Sequence, residues 1–189
     1  NLKGVFSKSV LQVEDRFPLL DGFNGTANSS ESYLLLSRYD GDLREGIVEL
    51  VDLTNFKVLH AWNPDISEFY KSVNKIDEFK YKDRDNNDSR QTLRNPKLTK
   101  DGGLLFNSGP LRKIDACSNL IFQNTHDVFH HSIETDIDGN IWVPSHMYPQ
   151  NLPVQKVGID SQVENGFFDD AIVKLSPNGE ILYEKSVSQ

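Results

Sequence analysis

The feature that most constrains this chain is a β-hairpin pattern that recurs along it. Each copy has a short run of β-forming residues, a tight turn with Asp-Gly or Asn-Gly, and a second such run. Those dipeptides tolerate the left-handed backbone that tight hairpin turns require. Complete copies occupy residues 98–106, 134–143 and 173–183. The pattern therefore predicts an all-β fold made of antiparallel strands.

Two further hairpins, at 47–59 and 111–122, lack a glycine in the turn. In these, Asn55 and Asn119 are predicted to take the left-handed position, because asparagine tolerates that backbone conformation. With these two copies, hairpins recur from the first third of the chain almost to its end, as in a repeat architecture.

The spacing of the hairpins indicates the kind of repeat. Gly102 and Gly139 lie 37 residues apart, with another hairpin between them. Alternating hairpins at that period match the four-stranded blades of β-propellers, which repeat about every 40–50 residues. We predict one partial propeller domain over 1–189, with blades near 33–62, 97–122 and 129–185 and an insertion at 148–168. The first blade has three strands, so its innermost strand is expected from elsewhere in the ring.

About three blades do not close a ring, because propellers close with about 4–8. Open sheet edges are prone to pairing with other chains. We therefore expect the remaining blades to come from a longer protein or from self-association. A twisted sandwich of two sheets is the alternative that fits the same hairpins.

One stretch, 65–79, departs from the strand pattern. Its apolar residues follow the 3.6-residue period of a helix, and they are Ile66, Phe69, Tyr70, Val73 and Ile76. The following residues, 80–94, are charged and polar. We predict a helix and then a loop, together an insertion at 65–94 between blades.

The charge and composition exclude some functions. The net charge of −8 disfavours binding to nucleic acid, because an acidic surface repels phosphates. No apolar run approaches the roughly 20 residues that a membrane-spanning helix needs. The single cysteine, Cys117, excludes an intrachain disulfide.

Four of the five histidines fall between positions 126 and 146, and they are His126, His130, His131 and His146. We predict that 130–136 is an innermost strand with the histidine pair at its start, at the mouth of the channel. The turn at 136–140 would return His146 to the same end. Consecutive strand residues face opposite sides, so at most one of the pair points fully into the channel.

Histidine titrates near neutrality and can donate to an anion, act as a nucleophile or bind zinc. The cluster therefore predicts a site of one of these kinds, although paired histidines at a strand end also cap backbone groups. Three arginines that could bind anions are predicted on the surface instead, namely Arg90, Arg94 and Arg112.

The run HHSIETDIDGNIWV at 130–143, preceded by LRKID at 111–115 and LIF at 120–122, resembles the bacterial arylsulfotransferase family. The segments 33–36 and 51–62 are similar to the opening blade of that family. The resemblance implies a six-bladed propeller whose channel histidines hold and receive a sulfuryl group, with this chain as its N-terminal part. The attacking histidine would then lie in a later blade.

The resemblance implies that His130 and His131 are catalytic, as anion-holding residues that line the channel. We assign their neighbours His126 and His146 to substrate binding. The substrates would be an aryl sulfate and a phenol, with no cofactor and no metal ligand. The expected location is periplasmic or extracytoplasmic, with any anchor in a removed N-terminal segment.

Two other classes of function fit the same residues. A metal-dependent propeller hydrolase or lyase would use the histidine-rich segment as ligands, and a zinc ion with three ligands would favour it. A non-catalytic propeller would instead present its loops to a protein or a sugar.

Overall fold

A computed structural model describes residues 22–23, 25–73, 86–88, 90–147, 149 and 169–188. In these residues the chain forms eleven strands in two antiparallel sheets and one short helix. The all-β prediction with one helix is therefore confirmed. No helix in the described ranges is long and apolar enough to cross a membrane. The predicted insertion at 148–168 lies outside the described residues, except for Pro149.

The first sheet contains the three strands that were predicted within 33–62. They are β1 (Tyr33–Asp40), β2 (Glu45–Asp52) and β3 (Lys57–Trp62), in the order β1-β2-β3. In its register Val48 lies opposite Trp62, and both side chains are fully buried. This sheet thus presents an apolar face to the rest of the chain.

The helix α1 (Ile66–Tyr70) follows the first sheet. The Asp65 carboxylate accepts a hydrogen bond from the Glu68 backbone N–H, which satisfies one of the unpaired donors at the start of the helix. The prediction of a helix is confirmed here but wrong for 71–73, where bonds to the residue three positions back tighten the chain into turns. Residues 74–79 lie outside the described part of the chain, as do 80–85 and 89 of the predicted loop at 80–94.

The second sheet is larger. Its strands are β4 (Arg94–Leu98), β5 (Leu104–Asn107), β6 (Gly109–Ile114), β7 (Leu120–Phe129), β8 (Glu134–Thr135), β9 (Ile141–His146), β10 (Asp170–Leu175) and β11 (Ile181–Ser186). The order is β11-β10-β9-β7-β6-β5-β4, and β8 pairs with β9. The long strand β7 belongs to two groups, because residues 120–124 and Phe129 pair with β6, and residues 128–129 pair with β9.

Two apolar clusters hold these layers together, and β5 contributes to both. Leu104 and Phe106 pack with Trp62 and Ile66, from the first sheet and the helix. Leu105, between them, faces the other way into the cluster formed with β9 and β10. The alternation of strand side chains explains this division. As a result β5 is buried on both faces and locks the layers to each other.

The predicted glycine turns are confirmed. Gly102, Gly139 and Gly179 have φ values of 82°, 83° and 85°, the left-handed conformation that glycine adopts without strain. Gly179 is also constrained by packing, because a Cβ atom there would overlap the ring of Phe122. The β10–β11 turn therefore lies directly on the first part of β7.

The predictions for the two turns without glycine are wrong by one residue. The left-handed residues are Phe56, with φ 59°, and Ser118, with φ 68°, instead of Asn55 and Asn119. In the second turn the Asp115 carboxylate accepts hydrogen bonds from the backbone of Asn119, which makes Asn119 the closing residue of the turn. In this turn the left-handed position falls one residue earlier than predicted, at the place that glycine occupies in the glycine turns, whereas in the first turn it falls one residue later.

Candidate active site

The histidine pair lies at a corner between strands. The prediction of a strand over 130–136 is wrong except at Glu134 and Thr135, because β7 ends at Phe129 and β8 contains only those two residues. His131 has φ 58°, and this left-handed conformation breaks the strand ladder. The buried Asn107 side chain donates to the His131 carbonyl at 2.9 Å, and the His130 N–H donates to the Pro144 carbonyl at 3.1 Å. These two bonds hold the corner in place.

The corner brings His130 to the ends of two other strands. His146 ends β9 and Asp170 begins β10, and the two residues are directly opposite each other. The His130 ring lies 4.3 Å from the His146 ring and 4.7 Å from the His131 ring, between centroids. The structure therefore brings His130, His131 and His146 together, as the return of the hairpin predicted.

We define the histidine cluster as His130, His131, His146 and Asp170. The carboxylate of Asp170 lies close to two of the three histidines. An Asp170 carboxylate oxygen lies 2.7 Å from His146 Nδ1 and 3.4 Å from His130 Nε2. The first distance is that of a charge-assisted hydrogen bond. The second contact does not form a hydrogen bond, so Asp170 acts on His130 mainly through its charge. Asp170 therefore orients His146 and leaves His130 without a fixed partner.

His130 is the most chemically distinctive residue of the cluster. Both of its ring nitrogens are buried, and within the described residues neither makes a hydrogen bond. Burial lowers the pKa of His130, and the nearby His146 lowers it further, although Asp170 opposes both effects. At neutral pH the imidazole is therefore neutral, with one N–H to donate and one lone pair to offer. His131 differs because its side chain is exposed.

His126 belongs to a different group, the carboxylate cluster, which we define as His126, Asp127 and Glu184. His126 Nε2 lies 3.8 Å from an Asp127 oxygen and 3.9 Å from a Glu184 oxygen. Asp127 is fully buried and accepts a hydrogen bond from the Ser145 hydroxyl. Ser145 and His146 are adjacent in β9 and so face opposite sides of the sheet. The two clusters therefore lie on opposite faces of β9.

Burial acts on the carboxylate cluster as well. It raises the pKa of Glu184 to about 7, and the neighbouring Asp127 and Asp169 raise it in the same direction. Asp170 and Glu184 were not predicted as site residues from the sequence. Both lie in strands that follow the segment 148–168, so their positions opposite the histidines depend on a strand register that no local pattern encodes. The alternation of β11 was the one available signal, because it places Glu184 on the inward face with Ser186.

Arg112 is not on the surface, so that prediction is wrong. Its side chain is fully buried because β6 packs against other layers on both faces. Its guanidinium donates to Gln123 Oε1 and Asn86 Oδ1, each at 3.2 Å. Burial lowers its pKa to about 10, which still leaves it protonated at neutral pH. Arg112 is thus a buried cation held by neutral amide oxygens.

Comparison with known protein families gives a match over the second half of the chain. The family model for arylsulfotransferase (ASST) matches residues 89–189, or 101 of the 189 residues. The matched part includes every residue of the histidine cluster and of the carboxylate cluster. No curated protein matches the sequence. Since the family model covers more than half of the chain, this protein belongs to the arylsulfotransferase family.

Proposed function

We propose that this chain takes part in the transfer of a sulfuryl group from an aryl sulfate to a phenol, with His130 and His131 contacting the group in transfer. The observation that carries the proposal is the meeting of three histidine rings over one carboxylate. The cluster lies in the part of the chain that the family model matches. Family membership implies an aryl sulfate as the donor substrate, and the histidines provide the side chains that contact its sulfuryl group.

The chemistry requires a lone pair and hydrogen-bond donors. A neutral imidazole nitrogen attacks the sulfur, the bond from sulfur to the aryl oxygen breaks, and the phenolate leaves with the electron pair. The sulfohistidine then passes the group to the acceptor phenol, whose proton goes to a base. We assign the attack to a histidine of a later blade, and the stabilisation of the sulfuryl oxygens to His130 and His131. Hydrogen-bond donors that are already positioned where negative charge develops make the largest single contribution to transition-state stabilisation in many enzymes.

The roles of the other two histidines follow from their surroundings. The 2.7 Å contact with Asp170 fixes the ring of His146 beside that of His130, which suits His146 for substrate binding. His126 lies with Asp127 and Glu184 on the opposite face of β9. We therefore propose a different role for His126 below.

We also propose that the strands are blades of a propeller. The meander β4-β5-β6-β7 and the group β8-β9-β10-β11 each have four antiparallel strands, and their first turns are 37 residues apart. The first sheet supplies three strands of an earlier blade. In this arrangement β8 is an innermost strand, and the histidine cluster lies at the end of the channel. The remaining blades and a periplasmic or extracytoplasmic location are part of the same proposal.

The test uses the full-length protein, nitrophenyl sulfate as donor and phenol as acceptor. Replacing His130 or His131 by asparagine should lower kcat/KM, by about 10²–10³-fold for a lost anion-stabilising group. The matched control is His60→Asn. His60 is a histidine in β3 that contacts the Ala116 carbonyl and the Trp62 ring. We expect the control to retain activity, and full activity in both His130 and His131 variants would overturn the proposal.

One observation favours a second function, that of a metal-dependent hydrolase or lyase. His130, His146 and Asp170 each offer a ligand atom, and these atoms lie within 4.8 Å of one another. Two imidazoles and a carboxylate are a common ligand set for catalytic zinc. Treatment with a chelator separates the two functions. Sulfuryl transfer should survive the chelator, whereas a zinc enzyme should lose activity and regain it when zinc is added.

A further inference from the structure

The carboxylate cluster is a second group of metal-ligating side chains, and nothing in the proposed sulfuryl transfer uses it. His126 and Asp127 are adjacent in β7, and Glu184 is in β11. Each offers one ligand atom, and the three atoms lie within 4.8 Å of one another. We propose that this cluster binds a divalent metal ion, with zinc or manganese as the best match.

The distances suit a single ion. Zinc binds histidine nitrogen and carboxylate oxygen at about 2.0–2.2 Å, so two of its ligand atoms can be up to about 4 Å apart across the ion. His126 Nε2 lies 3.8 Å from the Asp127 oxygen and 3.9 Å from the Glu184 oxygen. Small side-chain rotations therefore bring all three atoms into coordination without any movement of the strands.

The burial of the ligands favours a cation. Asp127 is fully buried, and one carboxylate oxygen of Glu184 is buried and makes no hydrogen bond within the described residues. Buried carboxylates are costly unless they are paired or coordinate a metal. His126 is 46% exposed, which leaves an open side through which an ion can enter. A water molecule there would complete the coordination.

The residues behind the ligands support the same assignment. Ser145 in β9 donates its hydroxyl to Asp127 and so fixes the orientation of that carboxylate. Hydrogen bonds of this kind to ligating carboxylates are typical of metal sites, and their loss costs about 10–100-fold in affinity. An ion held by Asp127 and Glu184 would also link β7 to β11, which β9 and β10 separate in the sheet.

The experiment measures zinc and manganese binding to the full-length protein by calorimetry, after treatment with a chelator. Wild type should bind an ion that raises its melting temperature. Glu184→Gln should weaken binding by more than 100-fold, and Ser145→Ala by about 10–100-fold. Glutamine keeps the size of glutamic acid, and the circular dichroism spectrum of the metal-free variant checks that it folds.

The second control distinguishes this site from the histidine cluster. His146→Asn removes a ligand atom there and leaves the carboxylate cluster intact, so its affinity for the ion should equal that of wild type. The proposal is overturned if Glu184→Gln binds zinc and manganese as tightly as wild type does, or if the only bound ion is lost in His146→Asn. Turnover of nitrophenyl sulfate is not part of this measurement, so the result is independent of the proposed function.

Discussion

The two clusters on either side of β9 are built from the same side-chain types, yet burial affects them in opposite ways. In the histidine cluster the carboxylate of Asp170 is half exposed, and the buried atoms are the two ring nitrogens of His130. In the carboxylate cluster His126 is half exposed and the fully buried group is Asp127. Burial favours the neutral form of any group. Burial therefore keeps the imidazole of His130 neutral on one face. On the other face it favours carboxylates that are protonated or paired with a cation.

The comparison shows that composition alone does not assign chemistry to a cluster. His126 and His130 are four positions apart in the sequence, and both are near a carboxylate. The irregular pairing of β7 between residues 124 and 129 separates them. In one cluster the buried atoms belong to the histidine, and in the other they belong to the carboxylate beside it.

The largest expected difference in stability is between two variants, one without the Asp127 carboxylate and one without the Asp170 carboxylate. Asp127→Ala leaves the buried Ser145 hydroxyl without its acceptor, and we expect a loss of about 1–3 kcal/mol in the free energy of unfolding. Asp170→Ala removes a half-exposed group, so the loss should be below about 1 kcal/mol. Urea denaturation of both variants measures the two values. Equal losses would show that the difference in burial does not matter energetically.

In metal-free protein the two clusters should contribute to stability with opposite dependence on pH. The pKa of Glu184 is raised from 4.5 to about 7. Its contribution to the free energy of unfolding is therefore complete below about pH 4.5 and is lost as the pH rises through about 7. The pKa of His130 is lowered from 6.5, so its contribution is complete above about pH 6.5 and is lost as the pH falls through the lower value.

Melting temperatures measured across this range should therefore respond to two substitutions in opposite ways. Glu184→Gln should remove the decline toward neutral pH, and His130→Asn should remove part of the decline toward acid pH. Identical pH profiles for wild type and either variant would contradict the assignment of that residue.

The smallest expected effect concerns the corner at His131. The backbone of His131 has φ 58°, which is strained for a residue with a side chain. Glycine relieves that strain but adds flexibility to the unfolded chain. The two effects oppose each other, so His131→Gly should change the free energy of unfolding by less than about 1 kcal/mol. Its turnover of nitrophenyl sulfate should nevertheless fall, because the imidazole is gone. A large loss of stability would show that the His131 side chain, which we regard as chemical, is structural.

Much of the fold could be predicted because the hairpins are local. Gly102, Gly139 and Gly179 lie where the Asp-Gly and Asn-Gly pattern predicted turns, and the strands on both sides follow. In the two turns without glycine the predicted residue is wrong, because side-chain hydrogen bonds, as at Asp115, decide which residue closes the turn. Local sequence thus indicates that a turn forms more reliably than it indicates which residue takes the left-handed position.

The candidate site could be predicted only in part. The meeting of His130 and His146 follows from one short hairpin, and the sequence therefore predicted it. Asp170 and Glu184 reach the clusters through strand pairings beyond the segment 148–168, whose register depends on the packing of the whole sheet. The burial of Arg112 has the same kind of cause, since a second layer covers a strand face that an isolated hairpin would expose.

We propose that sulfuryl transfer takes place at the histidine cluster and not at the carboxylate cluster. Rapid mixing of the full-length protein with excess nitrophenyl sulfate, in the absence of acceptor, measures the first burst of nitrophenolate directly. His130→Asn should slow that burst by about 10²–10³-fold, while Glu184→Gln should leave it unchanged. A burst that is unchanged in His130→Asn, or slowed equally in both variants, would contradict the claim.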